Sequence, residues 1–218
     1  MKNSIYSIKG SNKRNDILKL LAIITMLIDH LGYIFFPDII FLRVIGRIAF
    51  PIFAYHISIG YINTSNLRNY AIRLFLFGLI SQLPYNMLFK NGLNIFFTLF
   101  LGLIFIYSVD KKKYIVLALV ILSPIIFDIE YGYYGLFIIL SFYYFRENHN
   151  NTILSITFIN IIYFINYNFS IQIFSLLALW LIHRDWKIKI KLNKYLYYSF
   201  YPLHIGILYI ISTLVNIR

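Results

Sequence analysis

Long apolar runs separated by short polar joints set the pattern of this chain. Nine such segments can be read, at 17–36, 43–63, 69–88, 93–109, 114–129, 131–146, 152–168, 170–183 and 196–215. A helix rises about 1.5 Å per residue, so roughly 20 apolar residues cover the ~30 Å hydrocarbon layer of a bilayer. Runs near that length predict helices, whereas a membrane barrel would show alternations of about ten residues. Segments five, six and eight are short and are expected to tilt, to re-enter or to meet a thinned bilayer. The pattern predicts an all-α fold, a polytopic membrane helical bundle of about nine transmembrane helices. It would form a single integral membrane domain over residues 1–218, with residues 1–16 as a cytoplasmic amino-terminal segment.

Composition agrees with this reading. The chain is 60% hydrophobic and 13% charged, where a soluble domain carries about a quarter charged residues. It lacks the polar surface that a soluble globule needs. Cysteine is absent, so neither a disulfide framework nor a thiolate nucleophile is expected. The first apolar run reaches spanning length with no small-residue cleavage site behind it, which argues against a cleavable signal peptide. Abundant Ile, Asn, Lys, Phe and Tyr point to a low-GC bacterial genome, and hence to the bacterial cytoplasmic membrane as a multi-pass protein.

The net charge of +12 is explained by orientation rather than by nucleic acid, because the basic residues lie between the apolar runs. With the amino terminus inside, Lys2, Lys9, Lys13, Arg14 and Lys19 face the cytoplasm. Arg68, Arg73, Lys111, Lys112, Lys113 and Arg146 fall on the same side, as do Arg184, Lys187, Lys189, Lys191 and Lys194. Only Arg43, Arg47, Lys90 and Arg218 remain outside, so sixteen of the 20 basic residues obey the positive-inside rule. The basic stretch 184–194 serves either as a topology signal or as a site for an anionic lipid or phosphorylated ligand.

Polar residues inside the apolar segments are the candidate chemistry. Asp29 and His30 lie in the outer half of the first segment, where a carboxylate costs about 2.5–3.5 kcal/mol on insertion scales and needs a partner, water or a task. Arg43 and Arg47 share a helical face at i and i+4. Gln82 with Asn86, and Asn94 with Thr98, share faces at the outer ends of segments three and four. Asp128 and Glu130 sit in the outer turn after segment five, and His204 lies one turn beyond Tyr201 in the last segment. A carboxylate, imidazoles, guanidinium groups and amides in one region form an active-site pattern. An interhelical clamp between Asp29 and Arg47 explains part of it equally well. Neither His30 nor His204 is needed by such a clamp. His56 is read as structural, and His149 and His183 as solvated.

The segments that carry these residues resemble the TraX family of membrane proteins: LKLLAIITMLIDHLGYIFFP, RVIGRIAFPIFAYHISIGY, NYAIRLFLFGLISQLPYNM, NIFFTLFLG and YPLHIGILYI. The namesake of that family is associated with N-acetylation of conjugative pilin, and the family is similar to acyltransferase-3 type membrane acyltransferases. Those enzymes carry Arg, ten residues, then His in the first helix. Here Lys19 and His30 have that spacing, with Lys in place of Arg, and Tyr201 and His204 match a late Tyr-x-x-His. The resemblance implies an integral membrane acyltransferase moving an acetyl group from cytoplasmic acetyl-CoA to an amine or hydroxyl near the outer face. The acceptor would be a protein amino terminus, glycan, peptide or lipid. On this reading His30, Asp29, Arg47 and His204 are catalytic. Arg43, Asn94, Gln82, Asn86 and Tyr201 bind the acceptor, Lys19, Arg68 and Arg73 meet the acetyl-CoA phosphates, and no metal takes part. Two other classes stay open. One is a proton-coupled transporter with an Asp/His relay. The other is a non-catalytic membrane assembly protein of a conjugation or envelope system.

Overall fold

The computed structural model describes residues 16–89, 92–167, 171–187 and 190–215. The basic residues up to Arg14, with Lys90, Lys189 and Arg218, lie outside them. In chain order the helices are α1 (Ile17–Phe35), α2 (Ile40–Gly46), α3 (Ala49–Asn63), α4 (Leu67–Phe89) and α5 (Ile95–Asp110). They continue with α6 (Tyr114–Ile126), α7 (Gly132–Tyr144), α8 (His149–Asn166), a 3-10 stretch at Ile171–Leu176, α9 (Leu177–His183) and α10 (Lys194–Leu214).

Among the described residues each apolar segment read from the sequence is largely helical, and two of them change character within their length. The second segment is broken at residues 46–48, where the Arg47 amide reaches both Arg43 and Val44 carbonyls at 3.2 Å and Ile48 bonds Ile45. These short-range bonds are a 3-10 turn. Pro51 follows in the first turn of α3, where its missing N–H costs nothing. The segment at 170–183 likewise begins as 3-10 and relaxes into α9.

Among the described residues, Ile17–Phe35, Ile40–Asn63 and Leu67–Phe89 are long and apolar enough to cross a membrane. Ile95–Asp110, Tyr114–Ile126 and Ile171–His183 are apolar but shorter. The nine-span expectation is therefore carried by length in three helices. α4 shows what hydrocarbon asks of a helix, since Leu76, Leu79, Ile80 and Leu83 are all about half exposed or more.

The chain divides into two compact units, Met1–Phe53 with Phe145–Arg218, and Ala54–Tyr144. In the second unit Asn94 caps α5, its side-chain oxygen accepting from the Phe96 amide at 3.0 Å. Its amide nitrogen donates to the Gly78 carbonyl and to Gln82 Oε1, each at 2.8 Å. Gln82 Nε2 in turn donates to the Gly92 carbonyl at 2.8 Å and to Asn86. The α4–α5 joint is thus clasped by three amides. A short parallel bridge adds the α6–α7 turn, with the Leu93 amide on the Asp128 carbonyl and the Glu130 amide on that of Leu93. That pairing ends α6 at Ile126, short of the expected 129. Asn94→Ala is expected to lose the cap and strand buried amide partners, lowering unfolding stability of the solubilised protein by about 2–4 kcal/mol. Denaturant melts read out this loss.

At the opposite end of α5, Asp110 accepts from Tyr61 at 2.8 Å and Tyr143 at 2.6 Å and pairs with Lys111. The Tyr143 hydroxyl first, then the Lys111 ammonium and Tyr61, holds its carboxyl down to about 2. It therefore stays ionised at any ordinary working pH.

In the first unit α1 and α2 form a helical hairpin through Pro37 and Asp38. Small residues let the two approach closely. A Cβ on Gly32 would lie 2.6 Å from the Leu42 Cβ, and one on Gly46 would overlap the Asp29 carboxylate. Below, buried Asp16 fastens the chain before α10 to the start of α1. Its amide donates to the Ile190 carbonyl at 2.8 Å, and its carboxylate accepts from the Leu192 amide at 3.0 Å.

Candidate functional site

Asp29 is the hub of the first unit and is buried. Arg47 Nη2 straddles its two carboxylate oxygens at 2.7 and 2.6 Å. Arg43 Nη1 reaches the same carboxylate at 2.9 Å and the Asp29 carbonyl at 3.1 Å. The i and i+4 spacing delivers both guanidinium groups because the turn at 46–48 keeps Arg47 on the α1 side of α2. Arg47 also donates from Nη1 to Gln172 Oε1 at 3.2 Å, which ties in the 3-10 stretch. Arg43 lies over the Tyr33 ring at 4.9 Å. One carboxylate against two guanidinium groups in a low-dielectric core holds three elements together. Removing either partner there is costly.

His30 points elsewhere. Neighbouring side chains on a helix diverge by about 100°, and the imidazole meets α10 rather than the carboxylate beside it. His30 Nδ1 and His204 Nε2 are 2.7 Å apart, and the rings lie nearly parallel with centroids 5.0 Å apart. Both residues are buried. The direction of the bond follows from the next group along. His204 Nδ1 lies 2.7 Å from the Phe200 carbonyl, and a carbonyl only accepts. His204 Nδ1 therefore carries a hydrogen, and in the neutral pair its Nε2 accepts from His30 Nδ1–H. That leaves Nε2 as the basic nitrogen of His30. Tyr201 stands edge-on to both rings, at 6.3 and 5.6 Å.

The structure brings Asp29, His30, Arg43, Arg47, Tyr201 and His204 into one neighbourhood of the first unit. Lys19 sits eleven residues before His30, about 16 Å along the helix axis. It pairs with Asp16 at 2.8 Å and lies 5.5 Å over the Tyr197 ring. Gln82, Asn86 and Asn94 belong to the second unit and bond to one another. Arg68, exposed in the first turn of α4, and Arg73, stacked over Tyr70 at 5.6 Å, are in that unit too. His56 packs edge-on against Tyr55. His149 and His183 are half-buried with ring centroids 3.5 Å apart, contrary to the solvated positions expected of them. Among the described residues no group of three or more His, Asp or Glu side chains forms a metal-holding set.

Three residues of the first unit escaped sequence reasoning. Gly46 admits the Asp29 carboxylate against the α2 backbone, and its signal was a glycine set between two arginines. Gln172 was a lone amide in an apolar run. Asp16 stood three residues before Lys19, a spacing that pairs side chains on a helix.

Apolar helices of spanning length, exposed hydrocarbon-like faces and a buried, ion-paired, histidine-bearing core define an all-helical membrane protein. The chain belongs to the TraX protein family, which matches residues 14–212. It is also similar to an uncharacterized protein of Rickettsia prowazekii (strain Madrid E), 36% identical over 102 residues, taking in 45% of this chain and 39% of that one. A second relative is the probable fimbrial assembly protein FimC of Dichelobacter nodosus serogroup H1, 26% identical over 149 residues, 58% of this chain and 61% of that one. The chain thus spans less than two thirds of the length of either relative. No solved structure matches it.

Proposed function

We propose that the chain is a membrane component of an assembly system for a surface appendage of the fimbrial type. We place it in the bacterial cytoplasmic membrane as a multi-pass protein, with nine spans and a cytoplasmic amino terminus. The observation that carries this reading is the saturation of Asp29 by Arg43 and Arg47. The buried carboxylate is committed to holding α1 against α2, the task of a residue that serves shape. Kinship with a probable fimbrial assembly protein supports it. The charge distribution between apolar runs supports the orientation. Deleting the chain from its host should abolish or sharply reduce surface appendages, and restoring it should return them. Unchanged appendages in the deletion strain would refute the role.

A second reading is favoured by the His30–His204 bond, which the ion-pair clamp does not require. In it the protein transfers an acetyl group from acetyl-CoA. His30 Nε2 takes the proton of an acceptor amine or hydroxyl as that atom bonds the thioester carbon, and the departing thiolate carries the proton away. Such a base contributes about 10²–10⁴-fold. His204, fixed by the Phe200 carbonyl, holds the His30 tautomer. Arg47 would lie near the developing oxyanion, and Lys19 would meet the donor on the inner side. Purified protein incubated with labelled acetyl-CoA and an amine or hydroxyl acceptor tests this directly. The second reading predicts turnover that His30→Gln abolishes, and the assembly reading predicts none in either protein.

A further inference from the structure

The two tryptophans of the chain stack on the same side chain. The Arg184 guanidinium carbon lies 5.0 Å from the Trp180 ring centroid and 5.3 Å from that of Trp186. Such stacking is attractive and limits rotation of the planar group. The arrangement is fastened at both ends. Trp186 Nε1 donates to the Leu181 carbonyl at 3.0 Å, occupying one of the terminal acceptors of α9. Further along, Ile190 and Leu192 are tied to buried Asp16. Arg184, Lys187 and Lys191 are exposed, against the single acidic residue Asp185 in this connection. Among the described residues Arg184 has no ion-pair partner.

The approach to this sandwich matters as much as its charge. Ile173, Phe174, Leu177 and Trp180 are 36%, 42%, 51% and 64% exposed along the 3-10 stretch and α9. An outward apolar series that ends in an indole and then a guanidinium follows the depth order of a bilayer, with hydrocarbon first, an aromatic belt next and charge at the headgroups. A guanidinium held by its faces still offers its in-plane N–H fork, which matches phosphate oxygens.

We propose that Trp180, Arg184 and Trp186, with Lys187 and Lys191, form a docking site for the headgroup phosphate of an anionic phospholipid. The occupant is a lipid because the exposed apolar series gives its acyl chains a path beside the phosphate site. The proposal rests on the chain being a membrane protein and on neither functional reading above. A cytoplasmic position for this loop fits it, since that leaflet carries the anionic lipid.

Both tryptophans belong to the site, so the intrinsic indole fluorescence of the full chain reports on this site alone. The purified protein is reconstituted in phosphatidylcholine bilayers containing either dibrominated phosphatidylglycerol or dibrominated phosphatidylcholine at equal mole fraction. Bromine quenches indoles that its acyl chains touch. The phosphatidylglycerol form should quench with a preference of about fivefold or more, as expected for attraction by a basic residue at the membrane surface. Arg184→Gln should bring the preference close to one, and Arg184→Lys should leave it intermediate. Paired Lys187→Gln and Lys191→Gln changes should weaken it without disturbing the sandwich. Equal quenching of the wild type by the two lipids overturns the proposal whatever the variants do. A preference that survives Arg184→Gln overturns it as well. So does one erased by millimolar inorganic phosphate, which would make the ligand soluble.

Discussion

Gly46→Ala is expected to be among the most damaging single-methyl changes available in this chain. The added Cβ would occupy the position of the Asp29 carboxylate. Neither side can yield easily, because Gly46 closes α2 one residue before Arg47 and Asp29 is held from two directions. Overpacking a tight core costs about 1–3 kcal/mol by itself. Here it also pushes the carboxylate off its guanidinium partners, a loss in the range of about 3–5 kcal/mol for a broken buried pair. The variant should reach the membrane at strongly reduced abundance and melt well below wild type in detergent. A melting temperature within a degree or two of wild type would show that α1 and α2 are not in contact as described.

Asp29 and Arg47 should be coupled strongly. Asp29→Asn leaves two guanidinium groups without their carboxylate. Arg47→Gln leaves Asp29 to Arg43 alone and removes the bond to Gln172. Each change is expected to cost about 3 kcal/mol or more, with Asp29→Asn the worse because it strands two charges. The double variant should cost less than the sum of the singles, with an interaction energy of about 1.5–3 kcal/mol. Denaturant unfolding of the four proteins measures it. Simple additivity would mean that the two residues act independently, as in a water-filled chamber that screens them.

Much of the fold was legible because hydrocarbon imposes a simple rule on sequence. A spanning helix must be long and apolar, and each of the nine runs is largely helical among the described residues. What the runs conceal is their breaks. The turn at 46–48 lies inside a largely apolar stretch, and its local signals are a glycine followed by an arginine and Pro51, which cannot donate to the Arg47 carbonyl. The turn also sets Gly46 and Arg47 against Asp29 on another helix, a contact that no single-segment pattern records. The early end of α6 likewise goes with a distant contact, a pairing between Leu93 and the Asp128–Glu130 turn.

The candidate site was legible in kind and in one partnership, the Asp29–Arg47 clamp, but not in the rest of its contacts. Asp29 and His30 are adjacent in sequence, yet one faces α2 and the other α10, and only the helical angle hinted at this. Arg43 and Arg47 declared a common face through their spacing. Asn94 directly before an apolar helical run is a cap signal. Its full set of bonds to Phe96, Gly78 and Gln82 gives it a structural task within the second unit. Lys19 matched an enzyme-like spacing to His30 while Asp16, its observed partner, stood only three residues away.

The assembly reading makes the ion-paired core essential and the basicity of His30 dispensable. His30→Gln separates the two, because glutamine retains an amide donor for His204 Nε2 but no titratable base. Surface appendages should be counted on a deletion strain that carries this variant at wild-type abundance in the membrane. Appendages restored to wild-type number are the predicted result. Their loss, with the protein present and folded, would contradict the account and make the imidazole a working base.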